Sequence, residues 1–320
     1  MSQRAKLHLQ VTFDFLTGAL FDLDEQTREN DSPVSARSSA KVELKSIVSA
    51  RRTMLSTETN VLANEAAEIP SFRVLDVRVN SVQIPEVVQI LEQWIGERGS
   101  PTRYVAVTGM HGISVSREDP QFRAVLDHAD LVVADGMPLV WMGRWHGHRQ
   151  MKRRACGPEL FEAFCQETGS KYRHFFYGGA PGVADLVARS LQQRHGIQVA
   201  GTYCPPFRAL TAREEAEVQR AVIAAAPDVL WVGLSTPKQE KWMYQHRHTL
   251  PVPVMLGVGA AFDMSSGRLK RAPKWMGEHG LEWFFRLTIE PARLWRRYII
   301  NGSKFAWAVC WEDVMPRIFR

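Results

Sequence analysis

From Phe72 onward the chain alternates continuous apolar runs with amphipathic stretches. The apolar runs are Tyr104 to Val107, Leu131 to Ala134, His174 to Tyr177, Ile197 to Gly201, Asp228 to Gly233 and Val252 to Val258. Helical patterns lie between them, at Pro85 to Arg98, Pro120 to His128, Pro158 to Thr168, Pro181 to His195, Ala212 to Ala226 and Pro237 to Thr249. Proline opens most of these, which suits its preference for the first helical turn. Unbroken apolar strands separated by amphipathic helices predict a mostly parallel sheet buried on both faces. The expected fold class is therefore α/β, a Rossmann-like sheet with helices on both sides.

The two flanks read differently. Residues 1–70 are polar from Glu25 to Glu68 and show little periodicity, which predicts a flexible or partly helical N-terminal extension. Residues 71–267 carry the strand–helix alternation of a catalytic domain. Residues 268–320 are helical in pattern and dense in aromatics and arginines, a C-terminal helical appendage. Charge sharpens this division: residues 268–320 hold eleven Lys or Arg against five acids, while the rest balances at 29 of each. On a helix Arg286, Arg293 and Arg297 share one face, Arg296 borders it, and Pro291 splits or kinks it. Trp283, Phe284, Trp295, Tyr298, Phe305, Trp307 and Trp311 alternate with these arginines. That is the composition of a segment that docks on an anionic membrane surface, with a plain amphipathic helix packed on the core as the alternative. A nucleic-acid partner is not expected, because no nucleic-acid motif accompanies the basic residues.

Other signals narrow the class further. Cys156, Cys165, Cys204 and Cys310 share no metal-ligand spacing, which predicts a reducing compartment and no disulfide framework. No run reaches the roughly 18–20 apolar residues of a membrane span. The N-terminus lacks the order of a signal peptide, so a cytoplasmic location is expected.

In parallel α/β folds ligands sit at the carboxyl ends of strands, and here those ends are polar or glycine-rich. Asp135 follows an apolar strand and precedes Gly136; it is either a general base or the N-cap of the helix through Pro138 and Trp141. Gly178-Gly179 is either a backbone cradle for a diphosphate or a tight structural turn. Thr108 either meets substrate or caps the next helix, and His111 reads as structural rather than metal-ligating. Arg154 lies in a basic run that is a diphosphate clamp or a solvated loop. Asp263, at another strand end, has the right place for a ribose hydroxyl. The turn Ser235 to Glu240 is too polar to serve packing alone. Asp22-Leu23-Asp24 looks like a metal motif but has no strand–turn context, and reads as chance.

Eight blocks in order resemble the WecG/TagA/CpsF family of bacterial glycosyltransferases, family 26. They are Ala-Asp-Gly-Met-Pro-Leu-Val-Trp (134–141), Arg-Ala-Cys-Gly-Pro-Glu-Leu (154–160), Tyr-Gly-Gly-Ala-Pro-Gly-Val-Ala (177–184) and Gly-Thr-Tyr-Cys-Pro-Pro-Phe (201–207). The others are Pro-Lys-Gln-Glu-Lys-Trp-Met (237–243), Gly-Val-Gly-Ala-Ala-Phe-Asp (257–263), Arg-Ala-Pro-Lys-Trp (271–275) and Gly-Leu-Glu-Trp-Phe-Phe-Arg-Leu (280–287). The resemblance implies inverting transfer of a sugar, often of N-acetylmannosamine type, from a UDP-sugar to an undecaprenyl-diphosphate-linked saccharide. It implies no cofactor, no active-site metal, and a peripheral position on the inner face of the cell membrane. It casts Asp135 as base, Thr108 as the positioning threonine, Arg154 as the diphosphate arginine and Gln239 as a catalytic-pocket amide. Gly178, Gly179, Tyr203 and Asp263 fall to the UDP-sugar, and Arg286, Arg293 and Arg296 to the lipid diphosphate. A homo-oligomer is left open. The competing expectation is a Rossmann-like dinucleotide oxidoreductase, which would want a full Gly-x-Gly-x-x-Gly fingerprint.

Overall fold

Side-chain alternation explains why the apolar runs are continuous. The computed structural model describes residues 69–318 apart from Arg98 and Ser100. In β7 (Val229–Gly233), Val229 and Trp231 face one side of the sheet while Leu230 and Val232 face the other, and all four are buried. A strand covered on both faces has no solvent side to carry polar residues. The same division holds in β3 (Arg103–Thr108) and β4 (Leu131–Ala134). Helices Ile84–Gly96, Gly157–Thr168 and Val183–His195 cover one face; Pro120–Asp127, Ala212–Ala225 and Lys238–His246 cover the other.

The remaining strands are β1 (Ser71–Val74), β2 (Val77–Asn80), β5 (Arg173–Gly178), β6 (Gln198–Tyr203) and β8 (Val254–Gly257). The sheet order is β1-β2-β4-β3-β8-β7-β5-β6, antiparallel only between β1 and β2. The α/β class and the mostly parallel sheet are thus as the sequence predicts. Parallel pairing sets the carboxyl ends of β3 to β8 along one edge. There Thr108 stands opposite Ala134 and Gly178 opposite Gly233.

Three features depart from the sequence reading. The β1–β2 hairpin is unforeseen because its two-residue turn, Leu75-Asp76, holds positive φ angles of 49° and 66° without a glycine. Helix Met110–Glu118 is also unforeseen, since its buried positions are Gly112, Ile113, Ser114 and Ser116 rather than an apolar stripe. Phe305 is not at the surface: it is 5% exposed and joins Ala308 and Val309 in the core.

The C-terminal segment is helical, as expected. Lys274–Glu278 and Glu282–Ile289 precede a break at Glu290, and Pro291–Trp295 begins a run to Ile318 with π-helical turns at Arg296–Ile300 and Val309–Val314. Ion pairs Arg117–Glu312 (2.8 Å) and Lys304–Glu118 (2.8 Å), with a His146–Asp313 hydrogen bond (3.0 Å), hold the run against the α/β layer. The described residues cluster as one compact unit. The N-terminal extension and Asp22-Leu23-Asp24 lie outside the described residues.

Candidate active site at the carboxyl edge of the sheet

Asp135 sits one residue beyond β4, and its N–H donates to the Thr108 carbonyl at 2.8 Å. The cap of helix Met137–Trp145 is Gly136, with φ 113° and no side-chain cap bond. Asp135 is therefore not the N-cap, and its carboxylate is left for other work. Burial raises its pKa; the nearby Arg154, Arg297 and Arg286 oppose that shift, and Glu282 adds to it. One carboxylate is thus surrounded by three guanidinium groups from three separate elements.

Arg154 is largely enclosed and bridges two acids, Glu159 at 3.1 Å and Glu282 more closely. It lines a cavity of about 670 Å³ with Lys152, Arg153, Arg271, Glu159 and Glu282, floored by Met137, Pro158 and Met264. Four cations against two acids leave the cavity lining net positive, which suits a polyanionic group such as a diphosphate.

The C-terminal arginines divide in two. Arg286 and Arg297 are half-buried, and the Nε of each is enclosed without a hydrogen-bond partner. Arg297 lies within electrostatic reach of Asp135, Glu240 and His111. Arg293 is exposed and pairs with Glu290 at 2.6 Å, although its charge is felt at Arg297. Arg296 is exposed and lies over the Trp295 ring at 5.6 Å. The structure thus brings Arg286 to Asp135, leaves Arg293 at the rim, and puts Arg297, not Arg296, in the cleft. A π-helical turn beginning at Arg296 sets this register, which helical spacing alone does not reveal.

The other sequence candidates serve as braces. Thr108 is 1% exposed; its Oγ1 is enclosed without a partner, against Gly112, where no Cβ would fit. Gln239 accepts from the Gly259 N–H (3.0 Å) and donates to Glu240 Oε1 (3.0 Å), which ties the turn after β7 to the turn after β8. Glu240, which the sequence reading left without a role, also accepts from Thr236 Oγ1 at 2.8 Å, and its Oε2 is buried without a partner. The Gly179 N–H is taken by the Gly233 carbonyl at 3.1 Å, and a Cβ on Gly178 would strike the Gly233 backbone. The glycine pair therefore serves close strand approach, and the Gly179 N–H is not free to cradle phosphate. Tyr203 stacks on Tyr177 (6.0 Å, 25°), and Tyr177 on Trp242 (4.3 Å, 21°). Asp263 is half-buried in helix Ala261–Ser265, just past β8. His111 is half-buried; Asn301 Nδ2 donates to its Nδ1 at 3.1 Å, and burial with Arg297 nearby holds its pKa down at about 4.

A parallel α/β sheet whose strand ends gather a desolvated carboxylate, three arginines and a cationic cavity has the layout of a group-transfer enzyme. The chain belongs to the glycosyl transferase WecG/TagA/CpsF family, whose pattern it matches over residues 72–318. It is a glycosyltransferase, and the dinucleotide oxidoreductase alternative has no support. It is 34% identical over 194 residues to an N-acetylglucosaminyldiphosphoundecaprenol N-acetyl-beta-D-mannosaminyltransferase of Bacillus spizizenii, covering 60% of this chain and 72% of that one. A Bacillus subtilis (strain 168) protein of the same name is 30% identical over 204 residues, covering 63% and 77%.

Proposed function

We propose that this chain transfers a sugar of N-acetylmannosamine type, with inversion, from a UDP-sugar to an N-acetylglucosamine-bearing undecaprenyl diphosphate. The family and the relatives' names support the reaction class. The observation that carries the mechanism is Asp135, half-buried and within electrostatic reach of Arg154, Arg286 and Arg297. In this reading the Asp135 carboxylate takes the acceptor hydroxyl proton as that oxygen attacks the anomeric carbon. The bond from that carbon to the UDP oxygen breaks, and the arginines meet the charge on the departing diphosphate. Burial strengthens the carboxylate as a base, because it penalises the ionised form.

The acceptor's lipid tail calls for a membrane surface, which supports a peripheral position at the inner leaflet. No helix among the described residues is long and apolar enough to cross a membrane. Trp275, Trp307 and Trp311 are more than half exposed, in the segment that carries the basic excess. Aromatics seated at headgroup level beside arginines drawn to anionic lipid are the usual means of such docking. Incubation of the purified chain with a panel of UDP-sugars and lipid-diphosphate acceptors tests the reading. Product from a UDP-N-acetylmannosamine donor on a diphosphate-linked N-acetylglucosamine is expected, and the absence of product from every pair would refute it.

A further inference from the structure

Glu282 opens helix Glu282–Ile289 in the C-terminal segment, at a position where acids ordinarily serve the helix N-terminus. Its carboxylate instead reaches Arg154, in the loop before helix Gly157–Thr168, and pairs with Nη2. Both side chains are shielded, with 19% of Glu282 and 12% of Arg154 exposed. The same guanidinium is overlaid by Gly277, where an added Cβ would lie 2.9 Å from Nη2. Helix Lys274–Glu278 therefore rests on Arg154 with no side chain between them. Gly277, Glu282 and Arg154 all line the cavity of about 670 Å³.

We propose that Glu282 is a positioning residue for transfer: its ion pair fixes the Arg154 guanidinium beside Asp135 and ties the catalytic carboxylate's surroundings to the seating of the C-terminal segment. The inference rests on the reading of Asp135 as the base. The charges around Asp135 explain why an acid belongs here. Asp135 faces Arg154 from the core loop, Arg286 from the helix that Glu282 opens, and Arg297 from the following run; Glu282 is the acid among them. The nearby Cys156 thiol is held neutral by burial, so it contributes no charge. Three cations beside one carboxylate would make it a weak base. Glu282 offsets one of them and keeps Arg154 in place through a charge-assisted bond. Glu159, at 3.1 Å, holds Arg154 from the other side.

The test is a titration of the Asp135 carboxyl carbon by NMR in the full-length chain, labelled at aspartate and assigned with Asp135→Asn. The wild type, Glu282→Gln and Glu282→Asp are compared. Glu282→Gln keeps the shape and removes the charge, and a native amide spectrum certifies that each variant is folded. The Asp135 signal in Glu282→Gln is expected to titrate at lower pH than in the wild type. The expected kcat falls about tenfold through loss of base strength, with UDP affinity by calorimetry held within about threefold, because the loss falls in the transition state. Glu282→Asp is expected to recover part of both. An unmoved Asp135 titration in Glu282→Gln overturns the proposal, whatever turnover does. The titration reads Asp135 without requiring any transfer, so a wild type that turns over no UDP-sugar refutes the proposed function and leaves this result to stand by itself.

Discussion

Asn301 donates from Nδ2 to His111 Nδ1 at 3.1 Å, which ties the C-terminal helical run to the helix that follows β3. Because Nδ1 accepts, the ring proton sits on Nε2, and a pKa of about 4 keeps the imidazole neutral near pH 7. The bond adds to the ion pairs that seat the run. Asn301→Ala is expected to cost about 0.5–1.5 kcal/mol, the usual net worth of such a bond, measured by denaturant unfolding. No change in the unfolding midpoint would mean that the bond does not hold the run.

Arg297 and Arg296 are adjacent in sequence and opposite in placement. Arg297→Ala is expected to lower kcat/KM about 100-fold or more, the scale for removing a donor aimed at developing charge. Arg296→Ala leaves the cleft untouched, and its kcat/KM should stay within about threefold of wild type, since exposed charges contribute little. Steady-state kinetics with the lipid-linked acceptor decide, and the reverse ranking would refute this placement.

The pH profile follows from Asp135. Burial holds its pKa above the ordinary aspartate value of about 3.9. A base works only when ionised, so turnover is expected to fall as pH drops through that raised value. The acid limb should therefore lie above the ordinary aspartate value. His111, already neutral there, should add no limb of its own. An acid limb at or below the ordinary value would contradict the burial of the working carboxylate.

The fold was legible because a parallel sheet buried on both faces writes itself as unbroken apolar runs, as in β3, β4, β5, β7 and β8; the edge strand β6, half-exposed along its length, shows the pattern more weakly. β1 and β2 escaped because Leu75-Asp76 turns without the glycine that usually marks such a hairpin. The site was legible in part. Asp135 and Arg154 stand next to strand ends or helix starts, where local grammar points to chemistry. Glu282 and Arg297 owe their importance to partners far along the chain, Arg154 and Asp135, and no window of sequence contains those partners. Sequence left Gly178-Gly179 open between a cradle and a structural turn, because the backbone it must avoid, Gly233, lies on the neighbouring strand.

Trp307 and Trp311 are 63% and 54% exposed, one helical turn apart, and their rings meet edge to face at 6.5 Å. Neither is part of the core, so Trp307→Ser with Trp311→Ser should leave folding intact. Flotation on anionic vesicles is expected to drop in the double variant. Binding of the wild type should weaken with salt, because each arginine near an anionic surface contributes about 1 kcal/mol that ions screen. Undiminished flotation would place the membrane contact elsewhere.

Asp135→Asn asks whether this carboxylate takes the acceptor proton. The substitution keeps the shape and removes the basic oxygen. Turnover of a UDP-sugar onto the lipid-linked acceptor is expected to fall about 100- to 10,000-fold, the range for loss of a general base. UDP affinity should stay within about threefold, because the arginines that hold the diphosphate remain. Wild-type turnover in Asp135→Asn would contradict the account.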